Sequence, residues 1–84
     1  MPGRELASVP QARFEFAKEV LARNLRGLRV ARHLSQEKLG RKAGISQAQI
    51  SAIGTRKGNP TIDSLQRIAD VLGIAMSALF VEHK

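Results

Sequence analysis

The sequence predicts an all-α fold, a compact domain of five helices around one core. Three observations point there. Apolar residues recur at three- and four-residue spacing along most of the chain, the period that lines one face of a helix. Serine, threonine and glycine stand where those runs begin and end, as helix caps and stops do. The 84 residues are 43% hydrophobic, which suffices for one small core.

Residues 1–9 keep no period and hold Pro2 and Gly3, which predicts a flexible N-terminal tail ahead of a domain over 10–82. Pro10 suits the entry to a first helix over 11–31, where Phe14, Ala17, Leu21, Leu25 and Leu28 share a face. Phe16 and Val20 lie four apart on the adjoining face; either they widen the core band or they are left for a partner. Ser35 caps a second helix, with Leu34 ahead of it as an apolar staple, Leu39 and Ala43 buried, and Gly44 as the exit. Ser46 then caps a third, whose Ile50 and Ile53 point inward. Isolated helices need about 12 to 15 residues to persist, so these two must be held by tertiary packing. Thr61 caps a fourth, with Leu65, Ile68, Ala69 and Leu72 on its apolar face, Gly73 as its stop and Ile74 beyond. A fifth short helix, Ala75 to Val81, sends Leu79 and Met76 to the core and exposes Phe80 or Val81.

The charge is concentrated. Lys and Arg total 14 against 7 Asp and Glu, a net +7. From Val20 to Pro60 nine basic residues face Glu37 alone, so that half carries +8 and the remainder −1. A one-signed field over half a domain favours a polyanion, either nucleic acid or an anionic membrane surface, beyond its ordinary role in solubility. No apolar run approaches the roughly 20 residues of a membrane span, so a soluble, cytoplasmic protein with no membrane partner is expected. There is no cysteine, and His33 and His83 stand too far apart to suggest a metal site; neither a metal nor a cofactor is expected.

The run "LSQEKLGRKAGISQAQISAI", with "NLRGLR" before it and "GNPTIDSL", "IADVLGI" and "LF" after it, resembles the helix-turn-helix family of phage Cro and repressor proteins and related XRE-like bacterial regulators. The likeness extends from about Leu21 to Phe80. It implies a repressor-like five-helix domain whose second and third helices form the helix-turn-helix, and a DNA-binding transcriptional regulator as the function. Gln47, Ala48, Gln49 and Ala52 then face base edges, where the amides can pair with adenine. Ser46 caps its own helix and reaches a phosphate by its backbone. Gln36 resembles the family's phosphate-gripping glutamine, and Asn59 lies in its backbone-contacting loop. Lys38, Arg41, Lys42, Arg56 and Lys57 are expected to supply part of the general phosphate attraction. The arginines at 23, 26, 29 and 32 drift around the cylinder at a step of three and cannot all face one strand.

Three positions depart from the family pattern. Gly54 stands where the family often has Glu, and Arg56 where it often has Gly, which predicts an earlier end to the third helix and flexibility at Gly54 and Gly58. His33 stands where glycine is preferred, and bears strain if its φ is positive. Ala75 replaces a polar cap, so the fifth helix is expected to fray. One recognition helix reads few base pairs, so a homodimer on a palindromic site is expected, with Phe80, Val81, Phe16 and Val20 as interface candidates. The same residues suit the competing reading, an antitoxin or other protein-interaction module sequestering a protein partner. An enzyme has no support: no serine has a neighbour that would activate it, and "GTRKGNP" is no phosphate-binding loop.

Overall fold

The computed structural model describes residues 11–83, and the predicted tail lies outside them. Four α-helices follow in order, α1 (Gln11–Ala31), α2 (Gln36–Ala43), α3 (Gln47–Gly54) and α4 (Ile62–Leu72), and a 3₁₀ helix (Met76–Phe80) ends the fold. The described residues contain no strand, so the fold is all-α. α2 packs against both α3 and α4, while α1 lies across α3 and the 3₁₀ helix. Leu39, Ile50, Ile68 and Leu79, one from each element after α1, are fully buried and meet Leu21 and Leu25 of α1 in a single cluster. Each such side chain stabilises the fold by about 1.5 to 3 kcal/mol relative to exposure.

The polar residues at the helix starts act as caps. Ser35 Oγ accepts from the Lys38 amide at 3.0 Å, Ser46 Oγ from that of Gln49 at 3.1 Å, and Thr61 Oγ1 from that of Ser64 at 3.0 Å. All four helix ends share one device, an amide reaching back over a left-handed residue to a carbonyl five positions earlier. The bonds are Leu34 to Arg29 (3.0 Å), Ile45 to Gly40 (2.9 Å), Lys57 to Ala52 (2.8 Å) and Ile74 to Ala69 (3.0 Å). Gly44 and Gly73 supply two of the left-handed residues, at φ 73° and 71°. His33 and Arg56 supply the others at φ 55° and 61°, where a Cβ crowds the backbone.

Four expectations need correcting. Gly54 does not end α3 early; it is the last helical residue, because the left-handed turn comes two residues later at Arg56. Phe14, 50% exposed, and Ala17 leave the core face, because the core reaches α1 only from Val20 onward. Val20 is 7% exposed, which takes it out of the exposed interface candidates. The fifth element is a single 3₁₀ helix rather than an α-helix over 75–81, and Ala75 makes no side-chain cap bond. No helix among the described residues is long and apolar enough to cross a membrane.

Candidate nucleic-acid interface

The geometry of the α2–α3 pair begins at Gly40. A Cβ there would lie 2.7 Å from the Ile45 carbonyl oxygen and 3.4 Å from the Gln47 nitrogen, so the two helices meet backbone to backbone. Gly44 makes the turn between them, and Arg67 of α4, paired with Asp63 at 2.9 Å, leans over that turn. Ile50 and Ile53 fix the inner side of α3 in the core. Its first turn is thereby presented outward, with Gln47 and Ala48 exposed.

Gln49 is also exposed, but its amide is in use. Oε1 accepts from the Ser46 amide at 2.9 Å while Ser46 Oγ accepts from the Gln49 amide, a reciprocal capping box. Two expectations change as a result. The Ser46 amide is committed to Gln49 rather than free for a phosphate, and Gln49 can offer a base only the nitrogen end of its side chain. Ala52 is half-buried and shares with Gln49, Lys57, Asn59 and Thr61 a cleft between α3 and the loop that follows it.

The predicted phosphate-binding residues lie on α2 and on the loop after α3. Gln36 is the first residue of α2, half-buried, with Nε2 3.8 Å from where a Gly54 Cβ would stand. Lys38, Arg41 and Lys42 are exposed on α2; Arg41 pairs with Glu37 at 3.7 Å, a solvated contact of little stabilising value. Arg56, Lys57 and Asn59 are exposed on the loop after α3. The α1 arginines diverge: Arg23 pairs with Glu19 at 3.1 Å, Arg29 donates to the Leu34 carbonyl at 2.7 Å, and Arg32 donates to that of Leu28 at 3.3 Å.

Away from this surface, Phe16, Phe80 and Val81 are exposed by 49%, 41% and 48%. Phe16 and Val81 line one cleft. Asn24, unassigned by the sequence reading, holds the C-terminal segment there: its Nδ2 donates to the Leu79 carbonyl at 2.9 Å and to that of Val81 at 2.7 Å. The available signal was an asparagine set among Leu21, Leu25 and Leu28 on an otherwise apolar face.

Residues 25–79 match the helix-turn-helix family HTH_3. The chain belongs to that family. It is similar to a hypothetical transcription factor of Neisseria meningitidis serogroup B, with 33% identity over 64 residues, 76% of this chain and 60% of that protein. It is similar also to the immunity repressor protein of Bacillus phage phi105, with 31% identity over 63 residues, 75% of this chain and 44% of the repressor. The chain thus spans less than two thirds of either relative. Among solved structures, a hypothetical transcription factor from Neisseria superposes with a TM-score of 0.74 at 32% identity, over 77% of this chain and 75% of that one. An HTH_3 family transcriptional regulator from Vibrio cholerae gives 0.74 at 33%, over 80% of this chain and 38% of its own. The fold is that of the helix-turn-helix family, shared with solved proteins named as transcription factor and transcriptional regulator. The described residues include no group of three or more His, Cys, Asp or Glu able to hold a metal ion.

Proposed function

We propose that this protein is a sequence-specific, double-stranded DNA-binding transcriptional regulator that reads a palindromic operator as a homodimer. The observation that carries this reading is the exposed first turn of α3, Gln47 and Ala48, held on a buried scaffold, with Lys38 and Lys42 exposed on α2, Gln36 at the start of that helix, and Arg56, Lys57 and Asn59 exposed on the loop after α3. A helix about 10 to 12 Å across fits the major groove, about 12 Å wide, and the Gln47 amide can pair with N6 and N7 of adenine. Ala48 and Ala52 leave room for a thymine methyl. The flanking cations gain from neutralising phosphates whatever the sequence. The names of the relatives support the regulatory role. Homodimerisation is supported by the exposed Phe16, Phe80 and Val81, which a twofold partner can cover; half-sites of a palindrome then lie about 34 to 36 Å apart along the duplex.

Selection of binding sites from random duplex DNA, followed by titration at two salt concentrations, tests the reading. An enriched palindrome is expected. Gln47→Ala should lose discrimination at one position per half-site, by about 1 to 3 kcal/mol, while Lys57→Ala should weaken all duplexes alike. An unenriched pool would overturn sequence-specific reading and move the assignment to a protein-interaction module.

A further inference from the structure

The two glutamines in the first turn of α3 are held differently. The Gln47 side chain is exposed and has no hydrogen-bond partner among the described residues, so its amide turns freely and presents either end. Gln49 is tied by its oxygen. Oε1 accepts from the Ser46 amide at 2.9 Å and from the Ser46 hydroxyl at 3.3 Å. A backbone N–H can only donate, so it selects the oxygen, and the Gln49 amide cannot turn over without losing both bonds. The consequence is a fixed polarity. Nε2, with its two N–H groups, is the end left unpaired among the described residues, on an exposed side chain that lines the cleft of Ala52, Lys57 and Asn59. Successive helical residues are about 100° apart, so Gln47 and Gln49 stand on opposite flanks of Ala48 and meet different bases.

We infer that Gln49 is a donor-only reader that selects a keto base, thymine or guanine, at one position of each half-site, with Ser46 as the positioning residue that sets its polarity. The inference rests on the DNA-binding reading and names what that reading leaves open, the class of base that Gln49 takes. In the major groove thymine offers O4 and guanine offers O6 and N7, all of them acceptors. Cytosine offers its N4 amino group there, a donor that cannot pair with a fixed N–H. Adenine is intermediate, because its N7 accepts while its N6 amino group donates beside it. The two-bond pairing with adenine that is open to Gln47 needs an amide oxygen, and that of Gln49 is already committed to Ser46.

Gln49→Glu reverses the polarity and keeps the tie. Glutamate three residues after a serine cap forms the same capping box, so one carboxylate oxygen holds the Ser46 amide and the other is left as an acceptor. Sites are selected from random duplex DNA with the wild type, Gln49→Glu and Gln49→Ala, and affinities are then measured for duplexes carrying each base at the position where the pools differ. The wild type should favour thymine or guanine over cytosine there by about tenfold, Gln49→Ala should bind all four within about twofold, and Gln49→Glu should favour cytosine by about five- to tenfold. The added negative charge weakens every duplex alike and leaves these ratios untouched. Urea midpoints separate capping from reading: Gln49→Glu should unfold with the wild type, and Gln49→Ala earlier, having lost the cap bond. An enriched palindrome with the same base preferences in wild type and Gln49→Glu would reduce Gln49 to a helix cap and overturn the inference while leaving the DNA-binding reading standing. A wild-type preference for cytosine or adenine at the position that Gln49→Ala relaxes would overturn the fixed polarity. An unenriched wild-type pool would sink the DNA-binding reading itself, and the inference with it.

Discussion

At the scale of single residues, the contacts that decide the fold are polar as well as apolar. Asn24 is buried, and its amide nitrogen satisfies two carbonyls of the C-terminal segment. Asn24→Ala leaves both without that donor and is expected to cost about 1 to 3 kcal/mol. Asn24→Asp should cost more, because an ionised carboxylate only accepts and would point at two carbonyl oxygens. Equilibrium urea unfolding of both variants checks the order; Asp as the milder change would overturn the role given to the amide. His33 and Arg56 carry the opposite kind of cost. Each holds a left-handed turn that glycine holds without strain, at about 1 to 2 kcal/mol for the Cβ, against about 0.5 to 1 kcal/mol of extra chain entropy for glycine. His33→Gly and Arg56→Gly should thus each stabilise by about 0.5 to 1 kcal/mol, a few degrees in midpoint by calorimetry. Arg56→Gly should also weaken duplex binding, so stability and affinity move in opposite directions at that position only.

The elements show what the sequence makes legible. Ser35, Ser46 and Thr61 as starts and Gly44 and Gly73 as stops are readable because each acts on backbone within its own turn. The capping box was readable too, in the spacing of Ser46 and Gln49, but the same glutamine also suits a base, and spacing alone does not say which partner holds it. Arg56 was not readable as a left-handed residue: its φ is imposed by the path from α3 to α4, and a nearby glycine drew the expectation to itself. Periodicity placed Phe14 and Ala17 on the face of Leu21 and Leu25 correctly, but the period continues past the point where neighbouring elements end. Gly40 is the position where helix pairing and function meet. A valine there forces its Cβ into the Ile45 carbonyl, and the turn has to open. Gly40→Val should cost about 1 to 3 kcal/mol in overpacking. It should also lower duplex affinity in the folded population, because α3 is tilted away from its seat on α2; unchanged affinity would show that the close crossing serves stability alone.

For the whole molecule, charge and apolar exposure divide the surface between two tasks. Lys38, Arg41 and Lys42 on α2 and Arg56 and Lys57 on the loop after α3 are exposed beside the helix-turn-helix, whereas Phe16, Phe80 and Val81 lie on α1 and the C-terminal segment, Phe16 and Val81 lining one cleft. A partner covering the second surface leaves the first free for DNA, which a homodimer requires. Asn24 contributes by fixing the carbonyls of Leu79 and Val81, so the aromatic residue between them stands on an anchored segment. Mass action then provides a test without DNA. Any assembly that binds the folded chain but not the unfolded one raises the unfolding midpoint with protein concentration. The wild type should show that rise between about 1 and 100 micromolar, with sedimentation giving a dimer at the upper end. Phe80→Ser should remove the concentration dependence and sediment as a monomer, whereas Phe14→Ser, at an exposed ring at the far end of α1, should keep both. A midpoint independent of concentration in the wild type would sink homodimerisation and leave the apolar surface to a different protein, with α3 reading DNA from a monomer.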